Sequence, residues 1–331
     1  MKKILITGGS SGIGYETIKN LLNYDVKITA LCRTKNRSDE TINKINDELK
    51  GVDEIDLKLS LPVVDLSSIS SIENYFKDLS IDDESFDVVV FNAGLQYTGS
   101  NTPWWSKDGF ELTIAVNHLS NQLMIFKLLP YLNIKNSPRI IVTASEVHNP
   151  ESPGGKVGKK ADLGDLQGLK SGKGFLMLDG SSSFNADKAY KDSKLCNILF
   201  SKELYRRLSK KISDLTVIAW APGLLIPKSN EGFFRYSRQY NEIGQKIFAF
   251  IARDLLRITE SNVNAGKILS SLILDNKYNL KDFKYLSNNI IGLNKRIFTY
   301  GNLSKDSMKL KLSNELWEYS CKLLDIGSEF K

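Results

Sequence analysis

Residues 2–22, "KKILITGGSSGIGYETIKNLL", decide the fold. The apolar run through Ile4, Leu5 and Ile6 reads as a strand, and "YETIKNLLNY" sets apolar residues at the three- and four-residue intervals of a helix packed on a sheet. Gly8, Gly12 and Gly14 occupy the turn between them. Glycines there permit a tight turn and let backbone N–H groups and a helix N-terminus approach a pyrophosphate. Such a turn can also need glycine merely for positive φ, so the triplet takes its meaning from opening a βαβ unit. The phosphate-facing turn then comprises Gly8, Ser10, Ser11, Gly12, Ile13 and Gly14.

The same alternation runs on. "VKITALC" (26–32), "DVVVFNAG" (87–94), "RIIVTAS" (139–145) and "LTVIAWAPG" (215–223) read as strands, with amphipathic stretches such as "SSIENYFKDL" and "NHLSNQLMIFKLLPYL" between them. This order predicts an α/β fold, a Rossmann-type doubly wound parallel sheet covered on both faces. Two stretches break the rhythm. Residues 146–185 are rich in Gly, Pro, Lys and Asp, and residues 224–260 carry aromatics and arginines in "GFFRYSRQYNEIGQKIFAFIARDLLR". Both attach to the carboxyl ends of strands, so both are expected to cover a substrate and to move more readily than the scaffold. Residues 261–326 return to a helix, a strand near "RIFTYG" and a final helix "SNELWEYSCKLLDI". With no repeat or linker, residues 1–331 read as a single domain.

Composition agrees. Apolar residues make up 41% and charged residues 25%, as in a globular chain, and no apolar run approaches the length of a membrane span. The chain passes straight into a strand, so no secretion or import signal is expected. A net charge of +7 comes from lysines spread along the chain, without the basic stripe and interleaved aromatics that nucleic-acid binding uses. Nucleic acid is not an expected partner. Cys32, Cys196 and Cys321 are widely spaced and form no CxxC pair, which indicates neither disulfides nor zinc and suits reduced, cytoplasmic thiols. His118 and His148 are the only histidines, too few for a metal site, and His118 is expected to pack structurally.

Polar residues collect where the predicted strands end. After the second strand stands Arg33, where a carboxylate would bind a ribose 2′-hydroxyl; with Lys35 or Arg37 it suits a 2′-phosphate, which favours NADPH over NADH. Asp65 and Leu66 follow the third strand, and Asn92, Ala93 and Gly94 the fourth. Asn117, Ser145 and the pair Tyr190 and Lys194 come from separate segments, and Pro222 and Gly223 close the last strand. Tyr190 and Lys194 lie four apart and share one helix face. A tyrosine is an indifferent acid or base at neutral pH unless nearby positive charge stabilises its phenolate, and Lys194 and the nicotinamide are expected to supply that charge. Trp104 and Trp105 are expected to pack a loop onto the body.

TGxxxGIG, NAG, the intervening Asn, Ser, YxxxK and PG resemble the short-chain dehydrogenase/reductase family in order and context over residues 3 to 225. The resemblance implies a Rossmann domain with a catalytic tetrad of Asn117, Ser145, Tyr190 and Lys194. Tyr190 would exchange a proton with substrate while the nicotinamide exchanges a hydride, Ser145 would hydrogen-bond the reacting group, and Asn117 would hold a water relay.

One branch is closer. Ser145 and Tyr190 stand 45 positions apart, whereas a typical member separates them by about a dozen. That insertion, the "AYKDSK-CN" signature and "SNELWEYSCKLL" are similar to the light-dependent protochlorophyllide reductases over nearly the whole chain. The branch implies light-dependent reduction of a tetrapyrrole by NADPH, one carbon of a double bond receiving hydride and the other a proton from Tyr190. It would also allow peripheral contact with a photosynthetic membrane and a homo-oligomer. There are departures. The branch places a cysteine directly after Pro-Gly where this chain has Leu224, and its "NAAVY" reads "NAGLQY" here, altering the pocket wall at Gly94 and Gln96. A dark carbonyl reductase or retinol-type alcohol dehydrogenase on another apolar substrate is therefore a second reading. An NADPH-binding regulator without turnover is a third, against which the intact tetrad argues.

Overall fold

The computed structural model describes residues 1–50, 55–80, 85–226, 242–250, 252, 259–292 and 295–330. Its strands are β1 (Lys2–Thr7), β2 (Val26–Leu31), β3 (Leu59–Ser60), β4 (Val88–Phe91), β5 (Arg139–Thr143), β6 (Thr216–Ala221), β7 (Phe283–Gly292) and β8 (Lys295–Tyr300). They form one eight-stranded sheet in the order β3-β2-β1-β4-β5-β6-β7-β8. Every pairing is parallel except β7 with β8. The order runs outward in both directions from the β1/β4 pair. A crevice opens at such a reversal, outside the carboxyl ends of the strands.

The helices are α1 (Gly12–Leu21), α2 (Lys35–Glu48), α3 (Ile55–Lys58), α4 (Ile69–Lys77), α5 (Leu112–Ile114), α6 (Ser120–Leu128), α7 (Gln167–Ser171), α8 (Ala186–Leu208), α9 (Glu242–Ala249), α10 (Asn262–Leu274) and α11 (Leu310–Leu323). Successive strand residues point to opposite faces, and here both faces are dry. Leu5, Val89, Phe91, Ile140 and Val142 pack with the apolar sides of α4, α6, α8 and α11. Ile4, Ile6, Val88, Val90, Ile141 and Ile218 pack with α1 and α10. The five strand runs read from sequence are present as β1, β2, β4, β5 and β6, and "RIFTYG" lies in β8. β7 was not anticipated; Ser287, Asn288 and Asn289 interrupt its apolar pattern.

The 146–185 insertion is more integrated than its composition suggested. It contains α7, and Ala161, Leu163, Leu166, Leu169, Phe175 and Leu178 enter the core beneath α8 and α11. Of the 224–260 segment, expected to cover a substrate, residues 227–241, with the aromatic run Phe233–Tyr240, and residues 251 and 253–258 lie outside the described residues. Among the described residues no helix is long and apolar enough to cross a membrane, and no group of three or more His, Cys, Asp and Glu could hold a metal ion.

Candidate active site

The crevice floor is stitched at the ends of β1 and β4. Thr7 Oγ1 accepts from the backbone N–H groups of Asn92 and Ala93, both at 2.9 Å, and Asn92 Nδ2 donates to Thr7 O at 3.2 Å and Gly8 O at 3.4 Å. The approach demands glycine. A Cβ on Gly14 would fall 2.2 Å from Gly8 O, and one on Gly8, at φ +72°, would fall 2.9 Å from Ala93 Cα. Ser11 caps α1 in extended conformation with no side-chain hydrogen bond to the first turn. An uncapped helix N-terminus behind a glycine turn suits an anionic group. Ile13 packs into the α1/α10 core, and Ser10 hydrogen-bonds Cys32, whose thiol burial pushes up to about 11 against that bond.

Arg33 is exposed just beyond β2, ahead of Thr34, which caps α2 by accepting from Arg37 N at 3.4 Å. Lys35 pairs with Asp39 at 2.7 Å and Arg37 with Glu40 at 3.7 Å, both along α2. Asp65 is half-buried; burial would raise its pKa, but hydrogen bonds from Ser67 N at 3.0 Å and Ser67 Oγ at 2.7 Å, with Lys107 at 3.1 Å, hold it below the usual carboxylate range. Leu66 packs against two apolar clusters beside it.

The four polar residues expected from separate segments converge. Asn117 is fully buried in a π-helical turn, Ala115–Leu119, between α5 and α6. Its Oδ1 accepts from Leu95 N at 2.8 Å, and its Nδ2 donates to Leu95 O and Ser193 Oγ, both at 3.0 Å. Such π-turns often mark functional positions. A Cβ on Gly94 would lie 3.4 Å from Asn117 Oδ1 and 3.6 Å from Lys194 Nζ, so this backbone, the amide and the amine meet at one point. Lys194 Nζ donates to Thr143 O at 2.9 Å and sits 5.7 Å from the Tyr190 ring centroid. Ser145, two residues past the end of β5 at Thr143, hydrogen-bonds the Tyr190 phenol.

Burial holds the Tyr190 phenol well above its ordinary pKa, opposed by the bond to Ser145. Burial also lowers Lys194 to about 7. The pair therefore rests as a neutral phenol beside an amine poised to titrate near neutrality.

Other contributors were not legible. Glu260 shapes the Pro222–Gly223 turn: Asn288 Nδ2 donates to Glu260 Oε2 at 2.7 Å and to Pro222 O at 3.2 Å, while Gly223 takes φ +95°. The polar break in β7 was the available signal. His148 Nδ1 donates to Ser145 O at 2.7 Å, and burial lowers its pKa to about 4. His118 packs in the core against Ser320 Oγ at 2.9 Å, as anticipated. Trp104 stacks on Tyr97 at 5.4 Å, whose hydroxyl donates to the buried Glu111.

A short chain dehydrogenase family model matches residues 2–157. Protochlorophyllide reductase, chloroplastic, of Daucus carota is 28% identical over 332 residues, covering 98% of this chain and 78% of that protein. Protochlorophyllide reductase B, chloroplastic, of Hordeum vulgare is 29% identical over 331 residues, covering 98% and 78%. Among solved structures, L-sorbose reductase from Gluconobacter frateurii, complexed with NADPH and L-sorbose, superposes with a TM-score of 0.59 at 16% identity, over 89% of this chain and 97% of that one. A short chain dehydrogenase from Burkholderia cenocepacia in complex with NADP gives 0.58 at 16% identity, over 86% and 95%. Both share the fold.

Proposed function

We propose, for a chain that belongs to the short-chain dehydrogenase/reductase family, that it is an NADPH-dependent reductase of a large apolar substrate of the protochlorophyllide type. One observation carries the chemistry: the Ser145–Tyr190 hydrogen bond, with Lys194 one helical turn on, stands at the same sheet edge as the glycine turn.

The cofactor's pyrophosphate would lie on the turn of Gly8, Ser10, Ser11, Gly12, Ile13 and Gly14, and Arg33 would face the 2′-phosphate. Asp65, Leu66, Asn92, Ala93 and Gly94 would line the crevice beyond it, with Pro222 and Gly223 on the far side. When bound, the cofactor supplies the hydride. The protein supplies a proton. A phenol held neutral is the form that reduction requires, because Tyr190 must donate. Ser145 would orient the accepting group, and Lys194, titrating near 7, would return a proton to the phenol at neutral pH. The amide of Asn117 is spent on Leu95 and Ser193, so a water relay there would use its backbone carbonyl, which also accepts from Asn121 Nδ2 at 2.9 Å.

The likeness to protochlorophyllide reductases over 98% of the chain, insertion included, supports a tetrapyrrole substrate and reduction that awaits light absorbed by it. Leu224 favours a second reading, a dark carbonyl reductase on another apolar substrate, since it offers only apolar surface where the branch has a thiol. Purified protein with NADPH and either protochlorophyllide or apolar aldehydes and ketones, in darkness and under flashes, separates the two by absorbance. Light-gated product, lost in Tyr190→Phe, is expected. Turnover of carbonyls alone in darkness would install the second reading, and NADPH binding without any turnover would defeat both.

A further inference from the structure

Helix α8 carries three charged side chains that the proposed chemistry does not use. Lys188, Lys191 and Asp192 are 8%, 7% and 0% exposed. At positions i, i+3 and i+4 they share a face of the helix, turned away from the face of Tyr190 and Lys194. All three bond the insertion. Lys188 Nζ donates to Asp162 O at 2.5 Å and Asp192 Oδ2 at 2.6 Å, and lies 3.1 Å from Asp179 Oδ2. Asp192 Oδ1 accepts from Asp162 N at 2.9 Å. Lys191 Nζ donates to Gly155 O at 3.1 Å and to Val157 O. The ammonium of Lys188 thus meets three acceptors, and the insertion is held at residues 155–157, at 162 and at 179.

Buried ion pairs add little stability over well-packed apolar residues of the same volume; directional bonds instead select one arrangement. What is arranged adjoins the catalytic groups. Met177 and Phe184, from the far arm of the insertion, pack with Leu95, Tyr97, Val116 and Ala189, beside the Gly94 turn and the residue preceding Tyr190. Phe184 stacks on Tyr97 at 5.7 Å and 17°.

We propose that Lys188, Lys191 and Asp192 are positioning residues that lock the insertion to the helix of Tyr190 as a fixed wall of the substrate crevice, and thereby set which substrates are admitted. The specificity half rests on the reductase reading; the lock does not. The insertion is then a wall rather than a lid.

The test uses the full chain as wild type, as Lys188→Met/Asp192→Leu, which removes both charges while keeping bulk, and as Asp192→Asn. Hydrogen exchange should show residues 155–181 of the wild type as protected as β5 and β6. In the double variant these residues should exchange at least tenfold faster while β1 and α1 keep their rates, and Asp192→Asn should fall between. NADPH affinity should stay within twofold, the KM for protochlorophyllide should rise at least tenfold, and the KM for a small aldehyde should change less than threefold. Fast exchange of 155–181 in the wild type overturns the lock without any variant, should the double variant not fold. Wild-type protection in a folded double variant overturns it equally. Faster exchange with an unchanged KM ratio overturns the specificity role. A wild type with no turnover on any substrate defeats the reductase reading, while the exchange data still decide the lock.

Discussion

Asn117 and Leu95 are joined as two strand residues would be, the amide oxygen accepting from Leu95 N at 2.8 Å and the amide nitrogen donating to Leu95 O at 3.0 Å. A side chain here completes the backbone of the "NAGL" turn and also donates to Ser193 Oγ, which in turn donates to Tyr190 O at 2.7 Å. Asn117→Ala would strand two buried backbone groups of Leu95. At about 1 to 3 kcal/mol for each orphaned group, a loss on the order of 3 kcal/mol is expected in urea denaturation. Asn117→Asp, which sets a carboxylate oxygen against Leu95 O in a fully buried site, should cost at least as much. Equal, negligible losses in both variants would remove the structural role.

Two glycines of the crevice should respond oppositely to alanine. Gly14→Ala places a Cβ 2.2 Å from Gly8 O, which only a shift of the turn relieves, so NADPH affinity should fall at least tenfold. A Cβ on Gly94 meets Asn117 Oδ1 at 3.4 Å and Lys194 Nζ at 3.6 Å, ordinary contacts. Its φ lies outside the left-handed region, so Gly94→Ala should fold with Tm unchanged or slightly raised, through the smaller entropy of the unfolded chain. Melting curves and cofactor titrations of both variants check the contrast.

Local rules read the parallel core well, because its strands are buried on both faces and announce themselves as apolar runs such as Val88–Phe91. They also marked Tyr190 and Lys194, since helical spacing alone puts those side chains on one face. They missed β7, where Asn288 sits inside the strand so that its amide can hold Pro222 O and Glu260. A polar residue placed for the site defeats the pattern that detects the element. The insertion was hidden for a related reason: its order comes from bonds to Lys188, Lys191 and Asp192, which lie 9 to 36 positions away and leave no periodicity.

Cofactor choice should turn on Arg33. It stands two residues beyond β2, with no acidic residue beside it in sequence. A charge-assisted hydrogen bond to a 2′-phosphate contributes about 1.5 to 3 kcal/mol, roughly tenfold to a hundredfold in affinity. Arg33→Asp is therefore expected to weaken NADPH by at least that factor, through added repulsion, and to leave NADH unchanged or improved. Equal dissociation constants for the two cofactors in the wild type would dispose of this assignment.

The buried amine should leave a pH signature in stability. Lys194 keeps its proton to about pH 7 in the folded protein, against an ordinary lysine value of 10.5, because burial disfavours the cation. Below pH 7 both states are protonated, and folding bears the full cost of the buried charge. Between about 7 and 10 the unfolded chain holds the extra proton, so stability rises with pH over that window. Lys194→Met removes the group, at the expense of its bond to Thr143 O. The variant should be more stable than wild type by about 2 to 4 kcal/mol at pH 6, with the difference shrinking steadily toward pH 10 and changing sign once the lost hydrogen bond dominates. Urea denaturation of both proteins without cofactor at pH 6, 8 and 9.5 measures it. A difference that stays constant across that range would mean Lys194 keeps its charge in the folded protein, and Tyr190 would then have a permanent cation beside its ring rather than a titrating amine.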